Sequence, residues 1–445
     1  MFMEFDSRQV SENMLEFISN TRKKRRFFMR ASESIPNFRS GLRMYANFAA
    51  RTIKKVCAEI GPREAGTQAE LDAQNFMAKQ VGDAADEVKQ EEFRISHRAF
   101  LGWLRLAGIL MLISLAAGIT NAFIPEVFFA PYVSAVCCVL TAIMIFGEFL
   151  FYQPVIDPLF KKLTSHNTYC IRKASGETKR RIIIAGHSDS SIEWRFTHMG
   201  GAPLMYIAYV YPALGLVYTV ISTIYMLVTG EANTVLLLIN CAFIPGYVGL
   251  TIFMNYKICV DGANDNLTGC MTGAAVLKFL GDNNIRFENT EVIAMFSGAE
   301  EEGLRGAKAS AKLHPEFKKG SDVETVFIAF DTVTDYDDMA IYHKDMSGLT
   351  KHSRKACALL KKGGELAGVD LPYALLFAGA SDAAAMTQGG VEATTFAAMN
   401  PGPPKYYHTR DDKADILNLK TIEKGVEIAL ETVFLFDEKG LQEKY

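Results

Sequence analysis

The sequence predicts an α/β fold, a mixed but largely parallel central sheet flanked by helices, interrupted by four inserted transmembrane helices. Three observations predict it. Short runs of branched and aromatic residues alternate with longer helical patterns, as in a sheet built from strand–helix units. A hydrophobic share of 49% against 22% charged residues is too apolar for a disordered chain. The apolar excess is also concentrated in four runs, arranged as two tight pairs.

The elements follow in chain order. The start, MFMEFDSRQVSENMLEF, has no apolar stretch of the kind that marks a cleaved secretory signal. Arg22-Lys23-Lys24-Arg25-Arg26 and Phe27-Phe28 form a basic and aromatic cluster within an N-terminal segment, residues 1–40. Such a run is usually a solvated face. Next to a membrane, anionic lipid attracts each basic residue by ~1 kcal/mol. Ile60-Gly61-Pro62-Arg63 reads as a turn. Thr67 to Glu70 then reads as a capping box opening a helix, with Ala69, Ala73, Phe76 and Met77 on one face.

The apolar runs are Leu106 to Phe123, Val127 to Phe146, Ala202 to Val228 and Thr234 to Tyr256. At about 18 to 27 residues each, they are long enough to cross a hydrocarbon core. Arg94, Arg98, Arg105, Lys161, Lys162, Arg195 and Lys257 lie on the side of the polar chain, and the two short hairpin loops hold no Lys or Arg. The positive-inside rule then predicts a multi-pass protein whose main body and both termini are cytoplasmic. Pro212 and Pro245 are expected as kinks within the spans, and Cys137-Cys138 as lipid-facing or packed.

In the polar remainder, strands are predicted around Glu91–Ile95 and Thr168–Arg172, then at Arg181–Ala185, Val292–Phe296, Thr325–Phe330 and Ala393–Ala397. Helices are predicted at Thr268–Leu280 and Lys420–Phe436. The polar body is thus divided as 41–98, 157–198 and 257–445, with hairpins at 99–156 and 199–256. The eight cysteines form no CxxC pair or regular framework, which argues against a disulfide scaffold or zinc ribbon. Lys and Arg number 47 against 50 Asp and Glu, a net charge of −3. No global basic field argues for nucleic acid.

Polar residues cluster where strands end: His187-Ser-Asp189, Asp261 to Gly269, Glu300-Glu301-Glu302, Phe330-Asp331 and Tyr407-His408. In open α/β sheets ligands bind outside the carboxyl ends of strands, so these acids and imidazoles are expected to converge. Two His and several carboxylates suit a pair of zinc-like ions bound through nitrogen and oxygen. A carboxylate bridging two such ions, and a second one free to accept a proton, complete a hydrolytic site. Adjacent Glu300 and Glu301 offer that division of labour.

The ordered set IGPREAGT (60–67), HSD (187–189), GANDNLTG (262–269), GAEEEGLRG (298–306), FDT (330–332), SD (381–382) and YHT..D (407–412) resembles the zinc aminopeptidases of family M28. The resemblance spans nearly the whole chain outside the apolar runs and implies a zinc exopeptidase-like fold. It further implies two Zn2+ ions bridged by Asp265. His187 and Asp331 would complete one ion's ligands, and Glu301 and His408 the other's. Glu300 would be the general base, Asp189 the group that orients the His187 ring, and Tyr407 a donor to the tetrahedral oxyanion.

Two departures stand out. Family members often carry His after the Ser-Asp pair, where this chain has Ala383, and both apolar hairpins are insertions. The second lies between Asp189 and Asp265, which should bring the site close to a membrane surface. The remaining histidines, His97, His166, His198, His314, His343 and His352, are expected at the surface or an interface. The sequon Asn266-Leu-Thr268 falls inside a ligand loop and is taken as coincidental.

The expected activity is removal of N-terminal residues from peptides with a free amine, by a protein embedded in a lipid bilayer. Alternatives are a catalytically silent receptor or scaffold on the same fold, and a carboxypeptidase or cyclase relative. A transporter is disfavoured because the spans hold almost no ionisable residues beyond their ends.

Overall fold

Where the branched and aromatic runs occur, the chain forms strands: β1 (Glu87–Ser96), β2 (Lys162–Arg172), β3 (Arg180–His187), β4 (Ile192–Trp194), β5 (Met254–Cys259), β6 (Thr290–Ser297), β7 (Glu324–Val333), β8 (Met339–Asp345), β9 (Thr350–Lys351), β10 (Tyr373–Leu375) and β11 (Glu392–Ala398). These come from a computed structural model that describes residues 30–124, 126–377 and 379–445. The basic cluster at 22–28 lies outside the described residues. A nine-stranded sheet has the order β1-β2-β6-β3-β7-β11-β8-β10, with β9 on β8. β3 is parallel to β6 and β7, and β7 to β11. β1/β2, β2/β6 and β8/β11 are antiparallel. The sheet is therefore mixed and mostly parallel at its centre, as the sequence predicts.

The sheet buries both faces, with alternate residues serving each. Ile182, Ile184, Val292, Phe296 and Ile328 enter one apolar layer with helices Phe38–Glu59, Leu267–Asp282 and Leu419–Lys439. Ile183, Ala185, Ile293, Met295 and Phe327 enter the other, with Arg305–Leu313 and Asp382–Gln388. The helix at Leu267 approaches β3 backbone to backbone: a Cβ on Gly186 would lie 2.2 Å from Cys270 N. That contact brings the start of the helix against the residue before His187.

Each apolar hairpin grows out of a pair of antiparallel strands. Ser96 at the end of β1 pairs with Lys162 at the start of β2, and helices Ala99–Phe123 and Ala130–Leu150 lie between them. Trp194 at the end of β4 pairs with Met254 at the start of β5, enclosing helices Arg195–Thr229 and Thr234–Ile252. All four helices are long and apolar enough to cross a membrane. β1 points the same way as β6 and β3, so the first hairpin leaves from the edge at which the parallel strands end.

Outward residues such as Phe128, Val136, Ile207 and Ile224 are exposed. Inside the bundle Ser134 contacts Ser114 at 2.7 Å and Thr223 at 2.6 Å, so the helices meet through small hydroxyl-bearing residues. Cys137 and Cys138 are buried, so they are packed rather than lipid-facing.

Three local expectations change. The first long helix of the second hairpin breaks at Gly200 and Gly201, where the dihedrals are non-helical, and runs on through Pro212. The fourth run divides into Thr234–Ala242 and Ile244–Ile252, with Pro245 in the first turn of the latter; its last residues, Met254 to Tyr256, belong to β5. Thr67 does stand at the N-cap position, but its Oγ1 donates to Glu64 O at 2.6 Å and is bonded to no N–H of the helix, so no capping box forms. Glu70 is instead drawn to the loop before Glu300, where it accepts from Ala299 N at 2.9 Å as well as from Gly66 N and Ser165 Oγ.

Candidate metal centre

Three parallel strands end side by side and deliver the site. His187 is the last residue of β3, Asp331 lies near the end of β7, and Glu300 and Glu301 follow β6. Asp265 comes from the loop between β5 and the helix at Leu267, and His408 from the loop before the last helix. His187, Asp265, Glu301 and His408 are each no more than 7% exposed.

The five residues expected to bind metal converge. His187 Nε2 lies 3.1 Å from Asp265 Oδ1, and His408 Nε2 lies 3.1 Å from Asp265 Oδ2 and 3.2 Å from Glu301 Oε1. Three overlapping groups have mutually close ligand atoms: His187, Asp265 and Asp331; His187, Glu300 and Glu301; and Asp265, Glu301 and His408. The Asp265 carboxylate is shared between two imidazoles, one to each oxygen.

Around this core, Asp189 is fully buried and takes the N–H groups of Glu300 and Glu301 at 3.1 and 3.0 Å. The hydrogen bond of His187 Nδ1 goes to Asp189 O at 3.2 Å, with the Asp189 carboxylate at 3.5 Å. Asp189 therefore sits behind the imidazole and also fixes the loop bearing both glutamates. Tyr407 stacks on His408, ring centres 3.9 Å apart. Ala383, in the place of the expected family His, is buried in the apolar layer beneath the sheet.

The electrostatics favour positive charge. Burial opposes the charged form of His408, yet Glu301 and Asp265 outweigh it and push its pKa up to about 10. Burial and the neighbouring Asp265 raise Asp331 to about 7. Glu300 is held well above the usual carboxylate range by desolvation, with His187 opposing and Glu301 adding. Asp265 Oδ2 and Glu301 Oε1 are buried outside any hydrogen bond. Buried carboxylate oxygens without donors, facing imidazole nitrogens, fit a divalent cation with nitrogen and oxygen ligands.

Sequence reasoning gave no role to three further residues. Asp412 accepts from the N–H groups of Asn264 and Asp265. Fully buried Arg63 donates to Ser188 O at 2.8 Å and Gly262 O at 2.9 Å, tying the His187 and Asp265 loops together. Trp194 meets His408 edge-on. The first two lie inside quoted motifs, while Trp194 carries no local signal.

The expectation for the other histidines is corrected for two of them. His314 and His352 are buried, because charged or polar partners satisfy them: Glu91 and Glu316 for His314, Thr387 and Asp345 for His352. Asn266 is also buried, its side chain bonded to Gly269 N and Phe330 O, so its amide is engaged within the loop.

A family model described as Peptidase family M28 matches residues 248–433. Comparison with curated protein sequences gave no match. Among solved structures, the aminopeptidase from Aneurinibacillus sp. strain AM-1 is 16% identical with a TM-score of 0.50, covering 88% of this chain and 93% of its own. BSAP, a zinc aminopeptidase from Bacillus subtilis, is 13% identical with a TM-score of 0.51, covering 90% and 96%. A Bacteroides thetaiotaomicron glutaminyl cyclase bound to N-acetylhistamine is 13% identical with a TM-score of 0.50, covering 87% and 97%. These likenesses show the fold. The fold is similar to that of zinc aminopeptidases, and the matched segment to peptidase family M28. Residues 248–433 are thus similar to the family that the motifs also resemble.

Proposed function

We propose that the protein is a membrane-embedded zinc peptidase that removes N-terminal residues from peptides at the cytoplasmic face. One observation carries this reading: the Asp265 carboxylate offers one oxygen to the His187 side of the cluster and the other to the His408 side, at 3.1 Å each. Two Zn2+ ions would be held there. Asp265 would bridge them, with His187 and Asp331 on one ion and Glu301 and His408 on the other. When bound, such ions polarise a carbonyl and acidify a water.

The chain's own residues do the rest. Glu300 takes the proton of the attacking water and passes it to the departing amine, a task suited to a carboxyl whose pKa burial raises well above the usual carboxylate range. Asp189 holds Glu300 and Glu301 through their backbone N–H groups and stands behind His187. Tyr407, next to His408, donates to the oxyanion. The first hairpin leaves from the edge at which the parallel strands end, and the second from the separate β4–β5 pair, which lies in the chain between His187 and Asp265. This supports substrates drawn from, or anchored near, the bilayer, and the distribution of Lys and Arg supports a cytoplasmic body.

Metal analysis of wild-type and Asp265→Ala protein, with a panel of aminoacyl reporters, tests the proposal. Zinc in the wild type only, with cleavage of free-amine substrates, supports it. Wild-type protein without zinc returns the scaffold reading. Equal turnover of soluble and lipid-anchored peptides removes the membrane preference. The glutaminyl cyclase among the similar structures favours a second reading, a cyclase acting on N-terminal glutamine. Release of ammonia from the side-chain amide of such a peptide, with its peptide bonds intact, would establish it.

A further inference from the structure

The loop that carries His408 is held from the second apolar hairpin. Trp194 ends β4 and is followed at once by the hairpin's first helix. Its backbone N–H donates to His408 O at 2.8 Å. Its indole stands edge-on to the imidazole, with ring centres 4.4 Å apart and planes at 89°. Beside it, Glu193 takes a forked pair of hydrogen bonds from Arg410, at 2.5 and 2.8 Å. His408 itself has a φ of +51°, a left-handed conformation uncommon for a residue with a side chain. Its loop therefore depends on contacts from outside, and the root of the hairpin supplies them.

The indole is in turn seated on the hairpin. It meets Phe253 at 5.5 Å and Tyr209 at 6.2 Å, and those two rings meet each other at 4.8 Å. Tyr209 lies beyond the break at Gly200 and Gly201 and packs back across it. The same apolar cluster includes Leu101, Trp103 and Leu104 of the first hairpin and Met205 of the second. A tilt of the second hairpin thus reaches the His408 imidazole through the Trp194 indole. Bilayers of different thickness impose such tilts on spanning helices.

We propose that Trp194 is a positioning residue for His408, through which the seating of the second hairpin in the bilayer sets how tightly the centre holds zinc. The inference rests on the metal-centre reading above. The test uses the full chain reconstituted in dimyristoyl or dierucoyl phosphatidylcholine, with zinc affinity measured by competition against a chelating dye and kcat and KM measured alongside. Trp194→Ala is expected to lower zinc affinity about 10- to 100-fold, as loss of a residue that orients a ligand does, and to lower kcat with KM little changed. Trp194→Phe keeps an aromatic edge on His408 and is expected to restore most of the affinity. Wild-type affinity is expected to differ between the two lipids, and the difference to vanish in Trp194→Ala.

Wild-type zinc affinity retained in Trp194→Ala overturns the inference, as does a lipid dependence that persists in that variant. Should Trp194→Ala fail to fold, the wild-type lipid series decides, since equal affinity in both lipids overturns the inference as well. Wild-type protein that binds no zinc in either lipid overturns the metal-centre reading itself and is thereby told apart.

Discussion

The carboxylate of Asp412 accepts the backbone N–H of Asp265 at 3.0 Å, its other oxygen taking that of Asn264 at 2.8 Å. Asp265 is thus aimed by a residue that itself touches neither imidazole. Asp412→Asn keeps the shape but presents an amide NH2 to one of two buried N–H donors. An unsatisfied buried donor costs about 1–3 kcal/mol, and a misaimed ligand about 10- to 100-fold in metal affinity. Thermal unfolding together with zinc competition should show both losses; unchanged zinc binding would deny Asp412 this role.

Glu300 and Glu301 separate chemistry from metal holding. Glu300→Gln is expected to bind zinc as the wild type does while kcat falls about 10²- to 10⁴-fold, the range supplied by a general base. Glu301→Gln is expected to lose zinc. Equal zinc loss in both variants would mean that Glu300 is a ligand.

Lys308 gives stability a pH dependence of known sign. Its Nζ donates to Tyr152 O and to Gly303 O, joining the return of the first hairpin to the loop after Glu301. Burial lowers its pKa from 10.5 to about 7, with Arg305 adding and Glu148 opposing. Between about pH 7 and 10.5 the unfolded chain binds the extra proton, so stability should rise with pH across that window. Below about 7 both states are protonated and the whole cost of charging Lys308 is present. Unfolding midpoints recorded across this range should rise in the wild type and level off in Lys308→Met. An unchanged slope in the variant would assign the effect to another group.

Gly108 marks where the two hairpins touch. A Cβ there would lie 2.6 Å from Tyr247 O and 2.9 Å from Thr251 Cγ2. Gly108→Val should therefore push helix Ala99–Phe123 off helix Ile244–Ile252 and destabilise the bundle by about 1–3 kcal/mol, the usual range for overpacking. A melting temperature in detergent equal to that of the wild type would contradict the close packing.

Much of this fold is legible in the sequence because its signals are local. The strands centred on Ile183, Ile293, Ile328 and Phe396 are buried on both faces and read as short apolar runs, each extended in the structure by a few residues. His187, Asp265, Glu301, Asp331 and His408 could be picked out because they fall at strand ends and in loops, inside the motifs that resemble family M28, and it is the resemblance that singled them out as ligands. β4 and β5 were not visible. Three residues ending in Trp194, and an apolar run passing from helix into strand at Met254, carry no period long enough to read. The duty of Glu70 was hidden for another reason: a Thr–Glu spacing suggests a cap, but a buried loop N–H at Ala299 competes for the same carboxylate and wins. The burial of His314 and His352 depends on partners far away in the sequence, such as Glu91.

The position of β6 between β2 and β3 bears on how the molecule is made. Synthesis runs from the N-terminus, so β1, β2 and β3 leave the ribosome before β6, and both apolar hairpins precede it as well. Were the hairpins to enter the lipid as they emerge, the nascent sheet would wait at the bilayer surface with a vacant slot one strand wide. The globular body would then be assembled in place, beside the machinery that inserts it, instead of arriving at the membrane as a finished domain.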